Sequence, residues 1–153
     1  MISHHQFPNG LVLIAEVMPG VQSAAFSLLL PAGAAYEPAD RGGAATMLAE
    51  WIMRGAGGRD SRELLTALDH LGVSHSEGAQ VLHTSISAAT LGRNLIPALE
   101  LYADVLRRPH LEDEEVEPIR ALTLQSLQSL EDDPGSKVMY ELRRRHFPDP
   151  WGR

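Results

Sequence analysis

The sequence predicts an α+β fold in which helices cover a mostly antiparallel sheet. Short apolar runs bounded by turn residues indicate strands, and longer stretches with apolar residues at helical spacing indicate helices. Their order is two strands, two helices, two strands and three helices, which favours this layered arrangement. The 153 residues, of which 44% are hydrophobic and 22% charged, suit a globular protein with a sizeable core. We find no repeat or linker, so residues 1–153 are expected to form a single domain.

The first two strands are predicted from turn signals. The apolar run at residues 11–17 lies between Asn9-Gly10 and Pro19-Gly20, and a second run, residues 23–30, ends at Pro31. We expect Asn9-Gly10 to open a strand and not to join two strands. No hairpin is therefore predicted there.

Two helices follow these strands. Residues 44–54 lack Gly and Pro and are apolar on most sides, which predicts a buried helix. Asp60 can cap the next helix, with Glu63 at its third position as in a capping box, and Gly72 ends it. Its apolar side is predicted to consist of Leu64, Leu65, Leu68 and Leu71.

The second half of the chain predicts two short strands, residues 73–79 and 82–90, and three helices. In the second strand, one face is predicted to carry Leu82, Thr84, Ile86 and Ala88. The next helix ends before Pro109 and has a stripe at Leu95, Leu99, Tyr102 and Leu106. The helix after it has an inward stripe at Val116, Ile119, Thr123, Ser126, Leu127 and Leu130. Pro134 then interrupts, and residues 137–145 form the last helix.

Composition excludes several classes of function. The net charge of −7 argues against non-specific nucleic-acid binding, and the basic run at residues 143–145 is interpreted as a solvated helix face. The absence of cysteine excludes disulfides and thiolate chemistry. No apolar run is long enough for a membrane span, so we expect a soluble protein, cytoplasmic or periplasmic if its source is bacterial. The compartment itself stays open.

Short phrases along the chain resemble those of peptidase family M16, the pitrilysin, insulinase and mitochondrial processing peptidase-like proteins. Each phrase is weak alone, but all occur in the family's order, at residues 7–11, 32–37, 42–45, 61–64, 68–72, 106–109, 131–134 and 147–153. The resemblance implies a LuxS/MPP-like metallohydrolase-type fold. It also implies that the chain is the N-terminal domain of a longer protein, because family subunits continue through further substrate-handling regions.

The resemblance places the family's zinc motif, H-x-x-E-H, on the helix predicted at residues 44–54. There the two His hold zinc and the Glu activates water. The aligned positions here are Thr46, Ala49 and Glu50. The family's third ligand is a Glu on a later helix, and alignment from residues 131–134 puts Ser126 in its place. A supporting Glu one or two turns earlier would fall on Ile119.

These replacements predict a site that neither binds zinc nor activates water. Hydroxyl groups are very poor zinc ligands, and Glu50 alone should hold no metal. Without a Glu at position 49, no group is placed to take a proton from water. We therefore expect no catalytic residue, no metal and no cofactor at this degenerate site, and no enzymatic activity from it.

Two interpretations of Glu50 stay open. Its carboxylate could accept hydrogen bonds from the Thr46 and Ser126 hydroxyls and tie two helices together, or it could point to water. The histidines also have two interpretations. His70, His75 and His83 could converge on a metal, but their spacing matches no zinc pattern and favours scattered surface positions. His4 and His5 are adjacent on the chain and are not expected to share a ligand.

Three functions follow from the resemblance. The leading one is a catalytically inactive subunit that pairs with an active M16 metallopeptidase and helps form a peptide-binding chamber. The alternative is a purely structural subunit, like the core proteins of a respiratory complex that resemble this family. The least favoured is an active zinc metallopeptidase with atypical ligands. Expected partners are an active M16 subunit, peptides, or a second copy through apolar surface left bare on the domain.

Overall fold

The computed structural model describes all of residues 1–153 and confirms the predicted α+β fold with an antiparallel sheet. The strands are β1 (Ile2–Gln6), β2 (Val12–Glu16), β3 (Ser23–Leu30), β4 (Gly55–Ala56), β5 (Arg59–Asp60), β6 (Ser74–Ala79) and β7 (Thr84–Leu91). The α-helices are α1 (Ala44–Trp51), α2 (Ser61–His70), α3 (Leu95–Arg107), α4 (Val116–Glu131) and α5 (Pro134–His146). Single 3₁₀ turns lie at Ala34–Tyr36, Gly92–Asn94 and Asp113–Glu115. No helix is both long and apolar enough to cross a membrane.

The main sheet has the order β3-β7-β6, with β7 in the centre and both pairings antiparallel. Alternate residues of β7 are buried under the helices, and they are Thr84, Ile86, Ala88 and Thr90. The opposite face is small and polar, since Ser87 is paired with Ser27 on β3 and Ser76 on β6. Leu82, predicted on the buried face, lies instead in the turn before β7 and is 47% exposed.

Residues 1–17 form a hairpin, so the prediction that no hairpin forms at Asn9-Gly10 is wrong. Strands β1 and β2 pair antiparallel, from Ile2 opposite Glu16 to Gln6 opposite Val12. Gly10 has a φ of 88°, and its N–H donates to the Phe7 carbonyl at 3.0 Å. The signal was missed because β1 is largely polar and exposed on both faces, so it has no apolar alternation. The hairpin pairs with no strand of the main sheet.

The hydrophobic core lies between the sheet and helices α2 and α3. Its buried members are Ile52, Met53, Ala56, Leu64, Leu68, Val73, Ile86, Ala88, Ala98, Leu101, Tyr102 and Val105. Helix α3 turns Ala98, Leu101, Tyr102 and Val105 inward, so the predicted stripe residues Leu95, Leu99 and Leu106 only flank the buried side. Tyr102 is fully buried and packs edge-on against Phe26 of β3, with ring centroids 5.4 Å apart.

Helix α2 begins with the predicted capping box. The Glu63 N–H donates to Asp60 Oδ1 at 2.8 Å, and the Asp60 N–H donates to Glu63 Oε2 at 3.1 Å. The helix ends before Gly72, which has a φ of 61°. Leu64 and Leu68 are buried, whereas Leu65, predicted on the apolar side, is 42% exposed.

Helix α4 is buried much less than its sequence predicts. Only Ile119 is fully buried, and Ser126 and Leu127 of the predicted inward stripe are exposed. Helix α4 spans about 24 Å in sixteen residues, and it packs on α1, whose eight residues span about 12 Å, and on α5. Helix α1 is itself shorter than predicted and ends at Trp51.

Helix α5 starts earlier than predicted, at Pro134 and not at Lys137. Asp133 caps it by accepting the Gly135 N–H at 3.0 Å and the Ser136 N–H at 3.3 Å. A hydrogen bond from the Ser136 hydroxyl has the largest effect on the pKa of Asp133. Together with the two backbone bonds, it holds that pKa below its usual value. Proline suits the first turn of a helix because no intrahelical partner is needed for its missing N–H. Helix α5 packs on α4 and buries no residue fully.

Candidate functional site

The helix on which the resemblance places the zinc motif is α1, which packs against both β6 and α4. It starts at Gly43, whose φ of 95° few other residues adopt. No side chain at the N-cap position satisfies the first free N–H groups of the helix. The carboxylate of Glu37 does so instead, accepting from Gly43 N at 3.0 Å and from Ala45 N at 2.6 Å. A negative charge at this end also stabilises the helix dipole.

The three motif positions of α1 have different surroundings. Thr46 and Glu50 are exposed one turn apart, whereas Ala49 is only 2% exposed. The Glu50 carboxylate forms neither a hydrogen bond nor an ion pair in the structure. It therefore points to water, which is the second of the two interpretations made from the sequence.

Position 126 lies on an exposed face of α4. Ser126 is exposed, and its hydroxyl donates to the Leu122 carbonyl at 3.1 Å. The predicted tie from Glu50 to the Thr46 and Ser126 hydroxyls does not form. Ile119, where the resemblance would place a supporting Glu, is a core residue at 1% exposed.

The residues at this place do not fit a zinc ion. Zinc sites in proteins use three or four ligands from imidazole, thiolate or carboxylate. Positions 46, 50 and 126 offer two hydroxyls and a single carboxylate, and one of those hydroxyls already donates to its own helix. Across the whole chain, no group of three or more His, Cys, Asp or Glu side chains is arranged to hold a metal ion.

The histidines lie on several different elements of the fold. His4 and His5 are exposed on β1, and His70 is exposed at the end of α2. His75 lies on β6 and its Nδ1 is 3.0 Å from Glu77 Oε2, whereas His83 lies in the turn before β7. The structure therefore does not bring His70, His75 and His83 together as ligands.

One cluster of ionisable groups was missed from the sequence. His75 and Glu77 lie on β6 opposite Ala88 and Ile86, so both point to the core face of the sheet. Close by, the Tyr102 hydroxyl is buried without a hydrogen-bond partner. Burial, and then the charge of Glu77, raise the pKa of Tyr102 to about 12. The spacing of His75 and Glu77 on a strand would have indicated a shared face, but only the register of β6 on β7 shows that the face is internal.

The relatives of the chain agree with the resemblance seen in its phrases. A family model described as Insulinase (Peptidase family M16) matches residues 12–147. An uncharacterized zinc protease of Streptomyces coelicolor is 28% identical over 131 residues, which are 86% of this chain and 28% of that protein. A probable mitochondrial-processing peptidase subunit beta of Arabidopsis thaliana is 26% identical over 147 residues, 95% of this chain and 28% of that protein. The chain thus spans less than a third of the length of these relatives.

Solved structures show the same fold. A structure from Pseudomonas fluorescens, described as a peptidase M16 inactive domain, superposes with a TM-score of 0.84 at 19% identity, covering 99% of this chain and 37% of that one. Pitrilysin gives the same TM-score and identity, covering 99% of this chain and 16% of its own. The family model covers most of the chain, and the fold agrees throughout. This chain is a member of peptidase family M16, the insulinase family.

Proposed function

We propose that this chain is the N-terminal M16 domain of a catalytically inactive subunit, which pairs with an active M16 metallopeptidase and helps form the chamber that binds peptides. The observation that carries the proposal is the exposed face of α1. That face offers Thr46 and Glu50 where the resemblance places the family's two zinc-binding His, and the position of the base is occupied by the buried Ala49 beside them. Such a face can contact a peptide but has no group to activate water.

The geometry beside α1 supports a role in peptide contact. Strand β6 packs on α1 and pairs only with β7, so its second edge forms no strand pairing. An unpaired strand edge offers backbone N–H and C=O groups to an extended peptide. The chain would thus retain a surface for peptides next to a helix that lacks the reactive groups.

The descriptions of two relatives support the proposed pairing of an inactive with an active subunit. The Arabidopsis relative is described as one subunit of a processing peptidase, and the Pseudomonas structure as an inactive domain of the same family. Both descriptions belong to those proteins, and we extend them to this chain because the degenerate positions 46, 49 and 50 lie on a helix whose fold is intact.

Co-expression of the complete gene product with a motif-intact M16 protein encoded beside it tests the proposal. We expect a stable complex, isolated by a tag on this subunit, and a peptidase activity toward quenched fluorescent peptides that exceeds the activity of the partner alone. A variant of the partner lacking its own motif Glu should form the complex but cleave nothing. A complex without any change in peptidase activity would favour the purely structural subunit. Cleavage that survives in the partner variant would favour the atypical metallopeptidase.

A further inference from the structure

Three of the phrases that resemble the family form one hydrogen-bonded unit in the structure. They are residues 32–37, residues 42–45 and residues 147–153, which are far apart in the sequence. Glu37 in the first phrase caps α1 through Gly43 and Ala45 in the second, as described above. Neither amide has another acceptor in the structure. The position of Glu37 therefore decides whether these two N–H groups at the start of α1 are hydrogen-bonded.

Residues 32–37 are themselves fixed on the sheet. The N–H groups of Ala34 and Ala35 donate to the carbonyls of Gln80 and Val81 in the turn between β6 and β7, at 2.9 and 2.8 Å. Gly33 approaches this turn so closely that a Cβ there would lie 2.5 Å from the Val81 carbonyl oxygen. These contacts therefore fix one side of the segment to the turn between β6 and β7.

The other side of the segment is held by Arg153. Its Nη1 donates to the Glu37 carbonyl at 2.7 Å and to the Ala34 carbonyl at 3.4 Å. Its Nε and Nη2 donate to the two carboxylate oxygens of Asp149 at 2.7 and 3.0 Å, which orients the guanidinium. Gly152 allows this approach, because a Cβ at that position would lie 2.7 Å from the Phe147 carbonyl oxygen.

We propose that Arg153 and Glu37 form a clasp that positions the motif helix, so that the segment after α5 sets the position of α1. Arg153 holds the backbone of Glu37, and the side chain of Glu37 holds the first turn of α1. The clasp contains none of the degenerate positions, and it acts through α1 on the exposed face formed by Thr46 and Glu50. Because it concerns this chain alone, it can hold or fail independently of the proposed pairing with an active subunit.

Residue-resolved hydrogen exchange on the full 153-residue chain tests the clasp. In Arg153→Ala, we expect the Gly43 and Ala45 amides to exchange at least about tenfold faster, the size expected for weakening hydrogen bonds to a charged group. The amides of β7 should keep their wild-type rates. Glu37→Gln should accelerate the same two amides unequally, because a single acceptor oxygen remains for two N–H donors and the charge is lost.

Arg145→Ala is the matched control, since Arg145 is an exposed Arg of α5 paired only with Glu141. It should leave the exchange rates of both the Gly43 and the Ala45 amide unchanged. Unchanged protection of Gly43 and Ala45 in Arg153→Ala would overturn the clasp, as would an equal acceleration in β7, which reports general destabilisation. If Arg153→Ala does not fold, Arg153→Lys is read by the same criteria, because a single ammonium cannot hold both Asp149 and the two carbonyls at once.

Discussion

At the residue scale, the degenerate motif is compatible with the helix that carries it. Ala49 is almost fully buried, and an ionised Glu at this position would have to be accommodated against the core side of α1. Thr46 and Glu50 are exposed and place no polar group in the interior. The burial of Ala49 and the isolation of Glu50 could not be predicted from the sequence, because both depend on neighbours that are distant in sequence.

Zinc binding should return when ligands are restored at the family positions. The variant Thr46→His/Glu50→His/Ser126→Glu offers two imidazoles on α1 and one carboxylate on the adjacent α4. We expect calorimetry to show one zinc ion bound per chain, and no such binding to the wild type. Position 49 is left as Ala because the family's Glu there is a base and not a ligand.

The matched control for that variant carries Gln125→Glu in place of Ser126→Glu. Residue 125 is exposed on α4 but points about 100° away around the helix, so binding should be at least about tenfold weaker. Equal affinity of the two variants would show that α4 does not place residue 126 toward α1. Stoichiometric zinc binding by the wild type would contradict the proposed loss of the site.

Removal of the Tyr102 hydroxyl should not destabilise the core. The hydroxyl is buried without a partner, so Tyr102→Phe loses no hydrogen bond and keeps the edge-on contact with Phe26. We expect the free energy of unfolding in urea to stay equal or to rise by up to about 1 kcal/mol. Leu101→Ala, which truncates the neighbouring core residue, should by contrast cost about 2–5 kcal/mol. A loss of more than about 1 kcal/mol in Tyr102→Phe would reveal a hidden partner for the hydroxyl.

The same tyrosine predicts a loss of stability in alkali. Its pKa is raised in the folded state from 10.0 to about 12, so the folded chain holds this proton more tightly than the unfolded chain. The resulting stabilisation is complete below pH 10 and is lost as the pH rises toward 12. Urea unfolding between these pH values should show a steeper fall for the wild type than for Tyr102→Phe. Parallel curves would show that this proton is not linked to folding.

At the element scale, local chemistry was a good guide wherever the signal lies within a few residues. Asp60, Glu63 and Gly72 specify both ends of α2 by their own hydrogen bonds and backbone angles, and the structure confirms them. Features that depend on residues distant in sequence were not predicted correctly. The polar strand β1 is defined by its pairing with β2, and the exposure of Ser126 depends on which elements pack against α4.

Removal of the α2 cap should show how much the capping box contributes to the free energy of unfolding. Asp60→Ala removes the acceptor for the Glu63 N–H and should lower the free energy of unfolding by about 1 kcal/mol. Asp60→Asn keeps a side-chain oxygen at the cap and should cost much less. Thermal or urea unfolding of both variants beside the wild type checks this. Equal losses in the two variants would assign the effect to charge and not to capping.

At the scale of the whole molecule, the sequence predicted the fold but not which surfaces the fold leaves open. The apolar stripe of α4 predicted an inward-facing side, because periodicity reports that a face is apolar and not what covers it. In the structure helices α4 and α5 pack on each other and leave exposed apolar residues around two clefts that share Tyr140, here called the α4–α5 face. It consists of Leu124, Leu127, Met139, Tyr140, Leu142 and Phe147, all of which are exposed.

The α4–α5 face should make the chain associate with itself in solution. Leu127 is 56% exposed and Met139 is 64% exposed, and exposed apolar surface of this kind favours contact between copies. We expect sedimentation equilibrium to show a mass that increases with concentration, and Leu127→Glu/Met139→Glu to weaken association at least about tenfold, since each burial of a charge at a contact is costly. Leu65→Glu, on α2 and 42% exposed, is the control and should leave association unchanged. A wild-type chain that stays monomeric at every concentration would contradict this prediction. Equal weakening by Leu65→Glu would place the contact elsewhere on the molecule.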